Sequence, residues 1–182
     1  TRYPEWQERG DSALAPVGTH MEPPADSVEE KNGKYRLSNG NYVEKTMYFY
    51  VLALVDSEIR KAVIPMRSSN LTPGRELNNL IQNLRAHDDK GSFRPAAYSA
   101  VFNLKTAGKS WGDKNWHVYK PSKVKMLDLS DDFEINVYET AKKLQEEAFK
   151  GAAQPKYEKV ESGNKEDICL LYTSPSPRDD EL

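Results

Sequence analysis

Rings and amines are interleaved between residues 105 and 120: Lys105, Lys109, Trp111, Lys114, Trp116, Tyr119 and Lys120. Two more rings, Tyr48 and Tyr50, lie one residue apart on an earlier apolar stretch. A single strand of nucleic acid needs this combination, because every phosphate carries a charge and every base has a π-face. Stacking contributes ~1–3 kcal/mol per base, and phosphate contacts make binding fall with salt. Lys61, Arg67, Arg75 and Arg94 extend the basic set around a segment expected to be helical. These thirteen side chains are the candidate nucleic-acid-binding residues. The competing reading of each ring is that it belongs to a sheet core.

Other chemistry has little support. The three histidines, His20, His87 and His117, are far apart, and His87-Asp88-Asp89 reads as a polar loop rather than a ligand set. Asp56-x-Glu58-x-x-Lys61 resembles a nuclease carboxylate cluster only in outline, and a hairpin turn accounts for it. Ala107-Gly-Lys-Ser110 lacks the upstream glycine of a phosphate-cradling loop. No serine or cysteine has the context of a nucleophile. The expectation is a protein that is not an enzyme, with no catalytic residue, no metal and no cofactor.

The candidates need elements to position them. Lys34–Leu37 and the strand starting at Tyr42 flank Ser38-Asn39-Gly40-Asn41, where Asn-Gly predicts a tight hairpin turn with φ > 0 at both central residues. Val43, Met47, Phe49, Val51, Ala53 and Val55 form one apolar face, and Tyr42, Glu44, Thr46, Tyr48 and Tyr50 an amphipathic one, the period of a half-buried strand. Lys61–Met66 returns as a strand that Pro65 places at an edge or an end. Thr72-Pro73 opens a helix, and Leu77, Leu80, Ile81 and Leu84 form its stripe. Residues 86–95 read as a polar loop, 97–106 as a strand and 107–114 as a glycine-containing loop. Two strands follow over 115–120 and 123–127, broken at Pro121, with Trp116 and Tyr119 on opposite faces. A helix over 131–150 closes the series, with stripe Phe133, Val137, Ala141, Leu144 and Ala148 and Gly151 as its stop. It either packs on the domain or mediates self-association. One helix between the third and fourth of five strands is the layout of the OB-fold, a small barrel that often binds oligonucleotides. The predicted fold is therefore mainly β with two helices, a five-stranded OB-like barrel plus a C-terminal helix.

Charge is segregated along the 182 residues. Positions 1–33 hold 3 Lys/Arg and 7 Asp/Glu, 34–126 hold 16 and 7, and 127–182 hold 7 and 14. A basic middle between acidic flanks suits a polyanion partner. The chain is 37% hydrophobic and 30% charged with a mean hydropathy of −0.80, polar for a single domain. Its longest apolar run, Met47–Val55, is strand length, so no membrane span is expected. With one cysteine, no disulfide scaffold exists. Residues 1–33, with Pro4, Pro16, Pro23 and Pro24, read as an irregular acidic arm; 34–151 as the barrel and its helix; 152–182 as a disordered tail. Within that tail, Cys169–Asp179 reads as a translated sequencing adapter, which points to an environmental (metagenomic) assembly, the alternative being a genuine Ser/Pro tail.

Four stretches carry a resemblance: Arg2-Tyr-Pro-Glu-Trp6, Pro65-Met-Arg-Ser-Ser-Asn-Leu71, Leu77-Asn-Asn-Leu-Ile81, and Phe102-Asn-Leu104 through Trp111-Gly-Asp-Lys-Asn-Trp116. Over residues 1–150 the chain resembles a group of bacteriophage proteins encoded near replication and recombination genes. Members of that group carry more chain before this point. The element order and the acidic flank are similar to phage OB-fold single-stranded-DNA-binding proteins, whose acidic tails recruit polymerase and helicase. What the resemblance implies is a DNA-binding protein of DNA replication or DNA recombination, working in the cytoplasm of an infected cell. Its partners would be single-stranded DNA and replication proteins such as a polymerase, helicase or exonuclease. The alternative is an accessory subunit that uses the same domain to hold a protein.

Overall fold

The computed structural model describes residues 1–7, 16–30, 33–55 and 58–151. It is mainly β with two helices, and every ladder is antiparallel. Five short strands, β1 (Tyr3–Trp6), β2 (Gly18–His20), β3 (Val28–Glu29), β4 (Lys34–Arg36) and β5 (Tyr42–Glu44), form one sheet in the order β2-β1-β5-β4-β3. The first 33 residues, expected as an irregular arm, thus contribute three of its strands. Alternation decides this: Tyr-Pro-Glu-Trp buries Pro4 and Trp6 on one face, and of the four prolines only Pro4 lies within a strand.

Glu5 binds that sheet together. Its carboxylate accepts from Asn41 Nδ2 at 2.6 Å and lies 2.8 Å from His20 Nε2, linking β1 to β2 and to the β4–β5 turn. The Asn41 hydrogen bond, then the His20 contact, hold the Glu5 carboxyl below the usual carboxylate range. A depressed folded pKa means stabilisation that is present above the ordinary range and lost as pH falls through the folded value. Glu5→Gln is expected to cost about 1–3 kcal/mol at neutral pH. In urea titrations at a series of pH values, its gap from the wild type should close as the carboxylate of the native chain protonates. A gap that persists unchanged in acid would rule out this origin.

The β4–β5 turn departs from the two-residue form expected. Gly40 N–H donates to the Leu37 carbonyl at 3.1 Å, and Leu37 N–H to the Asn41 carbonyl at 2.8 Å. Only Gly40 has positive φ, +86°. This is a three-residue loop with glycine at the left-handed position after a type I turn.

After the sheet come two long ribbons. Strands β6 (Thr46–Val55) and β7 (Glu58–Arg67) pair over their whole length, and α1 (Leu71–Gln82) follows a 3₁₀ turn at Ser68–Asn70. Gly74 of α1 lies against the ribbon: a Cβ there would come within 3.2–3.3 Å of the Met47 sulfur and of Met66. Leu71, Pro73, Leu77 and Leu84 are also buried. The segment read as polar loop forms a small hairpin, β8 (Ala86–Asp88) and β9 (Gly91–Phe93), turned by Gly91 at φ +123° with the Asp88 carboxylate accepting from Lys90 N–H. Then β10 (Ala100–Trp111) and β11 (Lys114–Met126) make the second long ribbon, and α2 (Asp132–Phe149) ends the described chain. Asp131 caps α2 by accepting from Glu134 N–H at 2.9 Å. Leu144 of its expected stripe is buried, but Phe133 is exposed.

The five main strands do not pair into one barrel. Among the described residues they are divided between the five-stranded sheet and the separate β6–β7 and β10–β11 ribbons. The helix expected between the third and fourth of five strands instead follows β7 and precedes β8 in chain order. Barrel closure depends on edge-to-edge pairing, and here a helix packs on the ribbons instead: α1 touches β6, β7 and β11. Asp56 and the 152–182 segment, with the adapter-like stretch, lie outside the described residues.

Candidate nucleic-acid interface

The β10–β11 ribbon is longer than its sequence suggested. Residues 107–111, read as loop because of Gly108, continue the strand, and a two-residue Gly112-Asp113 turn closes the hairpin between Trp111 and Lys114. Gly112 at φ +57° takes the first central position, which in a primed hairpin turn favours glycine. Strand β11 also runs unbroken through Pro121. Tyr119 N–H points away from β10, since it donates to Asn70 Oδ1 at 2.8 Å. Two residues on, the Pro121 nitrogen faces the same way, so proline removes no ladder bond. That Asn70 contact, together with buried Val118, fixes the ribbon against the start of α1.

Register then decides which candidates meet. Residues directly opposite in an antiparallel pair share a face. Lys105 faces Lys120, Lys109 faces Trp116, and Trp111 faces Lys114. All six fall on one face of the ribbon, because 105, 109 and 111 have the same parity; Ala107 and buried Val118, opposite one another, share that face between the Lys105–Lys120 and Lys109–Trp116 pairs. Tyr119, opposite Thr106, is on the other face, as the alternation predicted. Trp111 is 79% exposed at the tip. Trp116 is half-buried, with its Nε1 turned inward. The segment holds six lysines against one aspartate, Asp113. Lys125 is neutralised by Glu134 of α2, which raises the Lys125 pKa and lowers that of Glu134. Lys105, Lys109, Lys120 and Lys123 have no ion pair among the described residues.

The remaining candidates lie elsewhere. Tyr48 and Tyr50 sit on the β6–β7 ribbon opposite Pro65 and Val63. Lys61 Nζ lies 2.8 Å from Glu147 of α2. Arg67 lies 3.6 Å from Glu44 and stacks on the Trp6 ring at 4.9 Å. Arg94 is exposed beyond β9. Arg75 lines a shallow cavity of about 240 Å³ with Lys45, Ser68, Thr72, Tyr35 and Glu29. Lys45 and Ser68 carry no local signal in the sequence, although Ser68 takes the left-handed region at φ +50°. No three His, Asp, Glu or Cys side chains gather around a common point among the described residues. Nor is any helix there long and apolar enough to cross a membrane.

Neither a curated protein nor a solved structure matches the chain. A family model does, that of Pam3 phage gp34-like proteins, over residues 1–154. This span takes in the sheet, both ribbons and both helices, and the chain therefore belongs to the Pam3 phage gp34-like protein family, a bacteriophage family.

Proposed function

We propose that this protein is a non-catalytic single-stranded-DNA-binding protein serving phage replication or recombination in the cytoplasm of the infected cell. One observation carries the reading: the face of the β10–β11 ribbon that aligns Lys105, Lys120, Lys109, Trp116, Trp111 and Lys114. Its amines lie on either side of the packed Ala107–Val118 pair, where phosphates of one strand would meet them, and Trp111 offers an open ring at the tip. Such a surface reads charge and π-faces, so binding is sequence-tolerant. The surface here is a ribbon face rather than a barrel groove.

Titration with oligo-dT tests it through tryptophan fluorescence. Quenching is expected, with affinity falling steeply as salt rises, by a log–log slope of roughly −0.7 per phosphate neutralised. Parallel gel shifts with duplex DNA and single-stranded RNA define the preference. Absence of binding at low salt rejects the reading. A second reading, an accessory subunit that holds a replication protein, is favoured by the exposed apolar side chains Val124, Leu129 and Phe133. It predicts capture of a polymerase, helicase or exonuclease by a chain without DNA affinity.

A further inference from the structure

The cavity that Arg75 lines lies between α1 and the β3–β4 side of the five-stranded sheet, and none of its lining residues belongs to the β10–β11 ribbon. Its helical wall carries Thr72 and Arg75, which share one face of α1 at a spacing of three, and Ser68 in the turn before them. Its sheet wall carries Lys45. The Lys45 N–H donates to the Gly33 carbonyl at 2.7 Å, which fixes the backbone behind the amine. Gly33 makes that approach possible, because at φ +73° it brings no Cβ, and one there would come within 3.0 Å of Lys45 Cβ.

The lining holds two cations, Lys45 and Arg75, against one carboxylate, Glu29. Glu29 lies directly opposite Tyr35 in the β3–β4 ladder, and burial, then this carboxylate, push the Tyr35 hydroxyl above its ordinary pKa. The side chains of Lys45 and Arg75 have no ion pair or hydrogen bond among the described residues, and the Ser68 and Thr72 hydroxyls have no hydrogen bond there. Acids are not lacking nearby, since Lys34 and Arg36 both reach Glu30, and Arg67 reaches Glu44. Lys45 is moreover half-buried. Burial strips water from an amine, and without a counter-charge nothing replaces it. Ser68 is the one non-glycine residue with positive φ among the described residues, and such residues cluster where a ligand is held.

We propose that this cavity binds a phosphate group, with the Lys45 amine and the Arg75 guanidinium meeting its charge and the Ser68 and Thr72 hydroxyls donating to its other oxygens. A guanidinium fork matches two phosphate oxygens at once, and the amine adds a compact charge. Donors on two facing walls suit a tetrahedral anion better than a planar carboxylate. The volume, about 240 Å³, is below the ~300–1,000 Å³ of pockets that enclose a drug-sized molecule. The phosphate therefore enters, and any remainder of its molecule stays outside. Two sources share this chemistry, a free phosphate compound and the 5′-terminal phosphate of a DNA strand. The site uses no residue of the β10–β11 ribbon and stands or falls apart from the proposed DNA surface there.

Inorganic phosphate is the first probe, titrated into the full chain at low ionic strength and followed by calorimetry and by the amide shifts of Lys45, Ser68 and Thr72. Saturable binding at one site is expected. Lys45→Gln, which keeps most of the stem, and Arg75→Gln, at an exposed position, should each weaken it roughly tenfold or more through loss of one charge-assisted contact. Oligo-dT with a 5′-phosphate, compared with the same strand ending in a 5′-hydroxyl, separates the sources. A several-fold preference for the phosphorylated strand that Lys45→Gln abolishes assigns the strand end. Equal binding of the two strands, with inorganic phosphate still bound, assigns a free phosphate compound. Lys105→Ala/Lys120→Ala, weakened on DNA, should take up inorganic phosphate as the wild type does. The proposal is overturned if neither inorganic phosphate nor the 5′-phosphate moves these amides, if both glutamine variants bind as tightly as the wild type, or if acetate at equal concentration displaces the phosphate.

Discussion

Lys105→Ala combined with Lys120→Ala is expected to weaken binding to single-stranded DNA roughly 60-fold at ~0.05 M salt and about tenfold at ~0.2 M. The two amines face each other across the β10–β11 ladder and have no ion pair among the described residues, so both are available to phosphates. Each phosphate contact on a single strand contributes about 0.7 to the slope of log affinity against log salt. Losing two should flatten the slope by ~1.4, and wild type and variant should converge near ~1 M salt. Trp111→Ala behaves differently. It removes a ring that is 79% exposed and should cost ~1–3 kcal/mol per stacked base with an unchanged salt slope. A salt series on both variants therefore separates charge from stacking. If the double alanine variant bound with the wild-type slope, the ribbon face would not be the contact surface.

Much of this arrangement was legible in the sequence, because period-2 alternation is a local property. Met47–Val55 and Phe102–Leu104 read directly as strands, and the opposite facing of Trp116 and Tyr119 follows from their spacing of three. Thr72-Pro73 and the Leu77–Leu84 stripe placed α1 within a residue or two. Glycine and proline misled where their cost depends on distant partners. Gly108 sits inside β10, and Pro121 inside β11 with its nitrogen turned outward, which only the Tyr119–Asn70 bond reveals. Strands as short as β2 and β3 fall below what a period can show. Which strand pairs with which is a long-range matter, so one expected barrel becomes a sheet and two ribbons. The same distance hid the partner of Lys61, since Glu147 is 86 residues away.

Met66→Ala is expected to lower stability by about 2–5 kcal/mol. Met66 is fully buried, opposite Met47 across the β6–β7 ladder, at the point where Gly74 brings the α1 backbone onto the ribbon. A side chain on Gly74 would meet Met66 Cβ and sulfur at 3.3 Å, so the helix and the methionines are already at contact distance. Alanine at 66 opens a void there, and α1 has little freedom to collapse into it, because Asn70 at its start is bound to β11 and Leu84 just beyond its end is buried. Urea unfolding should show a lower midpoint with an unchanged slope, and the melting temperature should fall by several degrees, since ~1 kcal/mol shifts it about 2–4 °C at this chain length. Below its unfolding midpoint the variant should bind single-stranded DNA as the wild type does, because the aligned lysines and Trp111 belong to the β10–β11 ribbon. A loss under ~1 kcal/mol would mean that α1 moves in to fill the space, so that the Gly74–Met66 contact does not set the position of the helix between the two ribbons.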